Sequence, residues 1–354
     1  MRVLVAMSGG VDSSVAAALM VAEGHDAVGA TLKLWGGSSD SGCCSVADVD
    51  DARRVAQQLG ITHHVFNLAG DFDRAVVAPY VASHVAGRSP NPCIECNRHI
   101  KFDRLLARAR RLGFDALVTG HHARVAPGEP GVAHRLLRGV DPAKDQSYVL
   151  SMLGQSQLDR VVLPVGELTK VQVRTEAARL GLRTAAKPDS QDVCFIHSAE
   201  GRGGFLSRRM DLHEATVIDG GTGEQVGSVD AVELVTVGQR RGMGHGADGQ
   251  RRYVVAVDVP RRRVTVGGAR DAASDSVVLA PGSLTWVSGP LASGSLALSQ
   301  MSAHGRAVLG TFESTRAGTR IGFAEPERPV APGQTVALYD PADPDSVLGA
   351  GIAA

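Results

Sequence analysis

Aromatic residues are scarce, at 4% of 354 residues, so the cores must be built mainly from Val, Leu and Ala. Charge of one sign is also missing, since 37 Lys and Arg balance 37 Asp and Glu. That balance excludes a globally basic nucleic-acid binder and leaves room only for a local basic face. No apolar run approaches the ~20 residues of a membrane-spanning helix. None follows a basic N-terminus as in a secretory signal, so a cytoplasmic protein with no membrane contact is expected. Cysteine is rare and odd in number, five in all, which argues against a disulfide framework and for a reducing compartment. What remains is ordinary globular composition, 44% hydrophobic, with length for two or three domains of ~150 residues each.

The first half alternates β-branched runs with helical patterns, which predicts a parallel sheet covered by helices. Strands are predicted at Arg2–Met7, Asp26–Leu32, Thr62–Asn67 and Asp115–Thr119. Helices are predicted around Ser14–Ala22, Ala47–Leu59, Phe72–Val85, Ile100–Leu112 and Lys170–Leu180, with Gly60 and Gly181 as stops. After about residue 200 helical periodicity fades. Short Val-rich runs follow between Gly, Pro and Asp: Thr216–Asp219, Val232–Val237, Tyr253–Val257 and Arg263–Val266. This composition predicts a small sheet domain and then a barrel.

Between the first strand and the first helix lies SGGVDSS, residues 8–14. A loop rich in Gly and hydroxyls before a helix N-terminus suits phosphate, because N–H groups and the helix dipole face the anion. It is not the common P-loop, as no Lys follows its second glycine. A plain turn in a Rossmann-like unit is the competing reading.

The thiols are Cys43, Cys44, Cys93, Cys96 and Cys194. Cys93 and Cys96 lie in SPNPCIECNRHIKF, where two prolines predict a stiff loop and a helix starting near Asn97. A thiol beside a helix start, with Arg98, His99 and Lys101 nearby, is placed for a depressed pKa. Two structural thiols remain the alternative; one CxxC is too little for a closed zinc site. Cys194 sits in KPDSQDVCFI, with a short strand predicted at Val193–Ile196. A lone apolar-flanked cysteine is ordinarily an inert core residue, but the polar approach from Asp189 is unneeded for one. Cys43 and Cys44 read as loop residues. DPAKDQSYVL places Lys144, Asp145 and Gln146 at a helix start, and His121 in TGHHA follows a strand, where open α/β sheets place ligand loops.

In order along the chain these segments resemble the tRNA-specific 2-thiouridylases, PP-loop enzymes that put sulfur on C2 of a wobble uridine. The resemblance is carried by SGGVDSS, Pro90-Asn91-Pro92 through Cys96-Asn97, LLRGVDPAKDQSYVL, LPVGELTK, Asp189-Ser190 with Cys194-Phe195-Ile196, VGQRRGMG and APGQ. It spans nearly the whole chain. It implies an α/β N-terminal domain with a parallel sheet of the adenine-nucleotide α-hydrolase type (1–198). A small central β domain (199–270) and a C-terminal β-barrel (271–354) follow.

The implied reaction is adenylation of the uridine C2 oxygen by ATP, with Mg2+ assisting, followed by sulfur transfer. ATP would be held by Ala6, Met7, Ser8, Gly9, Gly10, Val11, Asp12 and Ser13, with Leu32 and Gly120 bracketing the adenine. Asp12 would serve magnesium rather than phosphate, which it repels. Cys194 would carry a persulfide from a cysteine-desulfurase-type donor or relay protein. Cys96 would be the nucleophile that releases or assists it, leaving a Cys96–Cys194 disulfide. tRNA contacts would come from Asn91, Pro92, Cys93, His121, Lys144, Asp145, Gln146 and Gln334, on a monomer. Arg251-Arg252 and Arg261–Arg263 would add a basic face.

Two departures stand out. Cys93 replaces the Asp usual after Asn-Pro, and Ser302–Arg306 lacks the expected basic-aromatic contact. Cys93 also opens an alternative, an iron–sulfur cluster on Cys93, Cys96 and Cys194 that carries the sulfide. A PP-loop ligase adenylating a small molecule is a further alternative, but it needs neither Cys96 and Cys194 nor two β domains. A pure RNA-binding module would leave the phosphate loop unused.

Overall fold

A computed structural model describes residues 1–34, 46–128, 132–189, 193–196, 200–246, 249–316 and 318–354. Cys43, Cys44, Ser190, Gln191 and Asp192 lie outside the described residues. The N-terminal region is an α/β unit. Its strands β1 (Arg2–Ala6), β2 (Asp26–Lys33), β3 (His63–Asn67) and β4 (Ala116–Thr119) run parallel in the order β3-β2-β1-β4. A short strand, Val161–Val162, completes the far edge. Val3, Leu4 and Val5 of β1 are fully buried, as expected for a central strand with helices on both faces. Helix α1 (Val11–Ala22) follows β1 after only four residues, which puts its N-terminus at the carboxyl edge of the sheet.

Two further strands, β5 (Ala123–Ala126) and β6 (Arg135–Arg138), leave this sheet as a hairpin. β6 pairs with Ser346–Ile352 near the C-terminus, so the hairpin joins the sheet of the last domain. That domain closes on itself: Ser274–Leu279 pairs with Gly318–Glu327 on one side and bridges Ala353 on the other. It is a β-barrel. Between the two lies a small four-stranded mixed sheet whose core is Val217, Val232, Val254, Val264 and Val266. Valine-rich cores of this kind offset the scarcity of aromatics, which gather most densely around Tyr80, Phe195 and Phe205.

Three local expectations are corrected. The helix expected near Asn97 starts at Pro92: Asn91 caps it, its Oδ1 accepting from Cys93 N at 3.1 Å, and proline suits the first helical position. Helical structure then continues to Arg111, with a π-helical stretch at Cys96–Leu105. Val193–Ile196 is a turn rather than a strand, closed by Ile196 N–H donating to Val193 O at 2.9 Å. Val232–Leu234 is a 3-10 turn, because buried Val232 and Val235 repeat at three residues rather than two.

Candidate active site

The phosphate loop is shaped by backbone and hydroxyls. Gly9 has φ +75°, and a Cβ there would lie 2.3 Å from the Asp48 carbonyl oxygen, so conformation and space both require glycine. Ser13 Oγ accepts from Ser8 N at 3.2 Å and donates to Gly10 O at 3.1 Å; Ser14 Oγ donates to the same carbonyl at 2.8 Å. Gly10 holds the cap position of α1 and offers no side chain to the first N–H groups, which suits an incoming anion. Gly120 closes the floor, since a Cβ would sit 2.6 Å from Asp12 C and Ser13 N. Met7 and Val11 are buried on either side of the loop. Ala6 pairs with Ala30 on β2 and Thr119 on β4, so Leu32 and Gly120 flank the end of β1.

Cations and carboxylates surround this loop. Lys170 Nζ donates to Asp12 Oδ1 and Oδ2 at 2.7 and 2.8 Å and pairs with Asp189 at 2.9 Å. His122 Nε2 lies 3.2 Å from Asp12 Oδ1, while His122 Nδ1 is buried with no partner among the described residues. Burial raises the Asp12 pKa, but the hydrogen bonds from His122 and Lys170 outweigh it and hold the carboxyl below its ordinary value. Asp189 behaves alike: burial raises it, and Lys144 and Lys170 bring it down to about 2. Lys187 Nζ donates to Gly9 O at 3.0 Å and to Asp48 and Asp51 at 2.6 and 2.7 Å. Asp12 thus faces an ammonium and an imidazole and keeps 30% of its side chain exposed, the edge at which it would meet a magnesium ion brought with the nucleotide.

His122, Lys170 and Lys187 were not among the expected site residues. For Lys170 a signal existed. Thr169 and Gln172 form a capping box, which puts Lys170 at a helix N-terminus where a cation opposes the dipole. A buried lysine in that place has a task.

Cys93 is exposed, Cys96 buried and Cys194 half-buried. Cys96 and Cys194 both pack into the largest apolar core. A cleft of about 620 Å3 joins their flanks, lined by Ser89, Pro90, Asn91 and Pro92 on one side and Val193 and Ile196 on the other. Thr236 of the central domain and Gln334 of the barrel complete its wall. Gln334 Nε2 donates to Ser89 O at 2.6 Å and so ties the barrel to the Cys93–Cys96 segment. Among the described residues no three His, Cys, Asp or Glu side chains gather to hold a metal. With Cys93 exposed and Cys96 buried, the arrangement lends no support to an iron–sulfur cluster on these thiols.

The remaining expected tRNA contacts are held by intramolecular bonds. Lys144 Nζ donates to Asp189 at 2.7 Å. Asp145 accepts from Arg138 at 2.8 Å and from Gly139 N and Ser147 N at 3.0 Å. Gln146 exchanges hydrogen bonds with the His122 backbone at 2.8 and 2.9 Å. His121 is buried, with Nδ1 2.7 Å from Thr119 Oγ1 and Nε2 3.5 Å from Lys101 Nζ. Burial first, then Lys101 and His122, holds its pKa well below the ordinary value.

The comparisons with known proteins agree with this layout. Family models described as tRNA methyl transferase HUP domain, tRNA methyl transferase PRC-barrel domain and aminomethyltransferase beta-barrel domain match residues 1–198, 203–268 and 282–353. Proteins named tRNA-specific 2-thiouridylase MnmA match at full length. One from Roseiflexus sp. (strain RS-1) is 44% identical over 99% of this chain and 98% of its own length. One from Rhodococcus opacus (strain B4) is 45% identical over 99% and 97%. One from Salinispora tropica is 46% identical over 98% and 97%. With a phosphate loop at the sheet edge and relatives matched from end to end, the chain belongs to the tRNA-specific 2-thiouridylase family.

Proposed function

We propose that this chain, a tRNA 2-thiouridylase, activates C2 of the wobble uridine with ATP and replaces its oxygen by sulfur. The observation that carries the reading is the presence in one chain of two features: an anion-ready loop on α1 and a cleft lined by residues just before Cys93 and on either side of Cys194. A uridine oxygen is a poor leaving group until AMP is attached to it. The first N–H groups of α1 stabilise the pyrophosphate charge as it develops. Lys170 offsets the repulsion that Asp12 would otherwise exert. Leu32 and Gly120 stand on either side of the adenine.

Cys194 then carries the sulfur as a persulfide, delivered by a cysteine-desulfurase-type donor or relay. Attack by the Cys96 thiolate on the Cys194 sulfur forms the Cys96–Cys194 disulfide and frees hydrosulfide, which displaces AMP from C2. An external thiol reductant restores the pair, in keeping with a cytoplasmic setting. Asn91, Pro92, Cys93, Lys144, Asp145, Gln146, His121 and Gln334 lie on segments that would frame the tRNA around the cleft. A monomer suffices for this scheme.

The test is an assay with ATP, tRNA and a persulfide donor, reading tRNA-dependent pyrophosphate release and 2-thiouridine by mass spectrometry. Cys194→Ser is expected to keep the first and lose the second. Normal 2-thiouridine formation by both Cys96→Ser and Cys194→Ser would refute the sulfur route.

A further inference from the structure

Lys170 is the first residue of the helix Lys170–Arg179, yet it is buried and serves two separate anions. One is Asp12 in the phosphate loop, at 2.7 and 2.8 Å; the other is Asp189, at 2.9 Å. An ammonium has three donors, so these contacts use all of them. A nucleotide phosphate settling over α1 meets the Asp12 carboxylate and needs a cation beside it. Lys170 is that cation, and Asp189 competes for it.

We propose that ATP draws Lys170 away from Asp189, so that Lys170 and Asp189 are positioning residues coupling occupancy of the phosphate loop to the placement of Cys194. Asp189 stands five residues before Cys194 in the chain. The stretch leading to it is moored to the loop at a second point. Arg174 Nη1 donates to the Ala185 and Lys187 carbonyls at 2.8 and 3.0 Å, and Lys187 Nζ donates to Gly9 O at 3.0 Å. Asp189 keeps Lys144 at 2.7 Å and Arg174 at 2.8 Å when Lys170 leaves, so its hold loosens without being lost. The chemical benefit is timing: a persulfide presented before the uridine is activated would be spent on other thiols. The inference rests on the ATP-dependent thiolation proposed above.

Coupling of this kind is reciprocal. In the full-length protein without tRNA, ATP is expected to speed iodoacetamide alkylation of Cys194, located by peptide mass spectrometry, by roughly 5-fold or more. Asp189→Asn removes the competitor and is expected to tighten ATP binding, measured by calorimetry, by a similar factor of roughly 5. A purely structural role for Asp189 predicts weaker or unchanged binding instead. Lys170→Gln is expected to alkylate quickly with or without ATP; if it does not fold, the wild-type and Asp189→Asn arms decide. Unchanged alkylation with no gain in affinity in Asp189→Asn, while ATP binds and thiolation proceeds, would overturn the coupling alone. A wild-type protein that binds no ATP would overturn the reading beneath it, and the coupling with it.

Discussion

Two adjacent glycines of the phosphate loop should respond to alanine in opposite ways. At Gly9 the backbone has φ +75°, where a side chain costs about 1–2 kcal/mol. A Cβ would also collide with backbone, 2.3 Å from Asp48 O and 2.9 Å from Asp48 C and Cα, in a segment that cannot swing away like a side-chain tip. At Gly10 the backbone is extended, with φ −91° and ψ 165°, and a Cβ would meet only Ser8 Oγ at 3.5 Å. Gly9→Ala should therefore lower the melting temperature by roughly 2–8 °C from the conformational cost alone. The collision adds to that by pushing the loop off α2, the helix Val46–Gln58. Gly10→Ala should melt near the wild type but raise the KM for ATP, because its methyl group stands where phosphate approaches the backbone. Calorimetric melting of both variants, with pyrophosphate release at varied ATP, separates the cases. A Gly9→Ala protein with wild-type melting and an unchanged KM for ATP would refute this account of the loop.

Cys93→Ser should leave 2-thiouridine formation within about twofold of wild type, whereas loss of activity together with bound iron would restore the cluster alternative. The Asp189 carboxyl, at about 2 in the folded chain against an ordinary 3.8, adds stability that is complete above about pH 4 and lost as pH falls toward 2. Asp189→Asn should flatten urea-unfolding stability over that window, and an unchanged slope would refute the assignment. tRNA binding should weaken with rising salt as phosphate contacts are lost. Salt-independent binding would exclude phosphate contacts as the source of affinity.

The sequence was readable where the determinant was local. SGGVDSS follows β1 as its Gly and Ser content requires, with Ser8–Gly10 in the loop and Val11–Ser14 forming the first turn of α1, and the β-branched runs became the parallel sheet. Pro92 misled because proline is a breaker inside a helix but an asset at its first position, and the Asn91 cap before it was the distinguishing sign. Val232–Val237 misled because a Val-rich run satisfies a strand or a 3-10 turn equally until burial selects the period. The cluster of cations and carboxylates was illegible as a cluster. Asp12, Lys170, Lys187 and Asp189 come together only when the α/β unit folds, and only Lys170 carried a local anomaly, a cation at a helix start.

The hairpin β5–β6 had no local sign of where it would pair, yet it determines how the far domain is held. His122, which touches Asp12, immediately precedes β5, and Gly139 immediately follows β6. At that root a Cβ on Gly139 would lie 2.6 Å from His122 O, so the two ends are pressed together beside the nucleotide loop. Beyond the root, β6 is hydrogen-bonded to the barrel, Arg138 donates to Gln300 at 2.8 Å and stacks on Tyr339, and Ser147 Oγ lies 3.0 Å from the Tyr339 hydroxyl. A backbone ladder is stiffer than a linker, so the barrel is registered to the adenylation site rather than tethered near it. Gln334, bonded to Ser89 O, carries the same registration to the Cys93–Cys96 side of the cleft. Gln334→Ala should then leave ATP-site chemistry intact but reduce tRNA-dependent thiolation through KM for tRNA, measured by initial rates at varied tRNA. An unchanged KM would mean that the barrel is positioned by the hairpin alone.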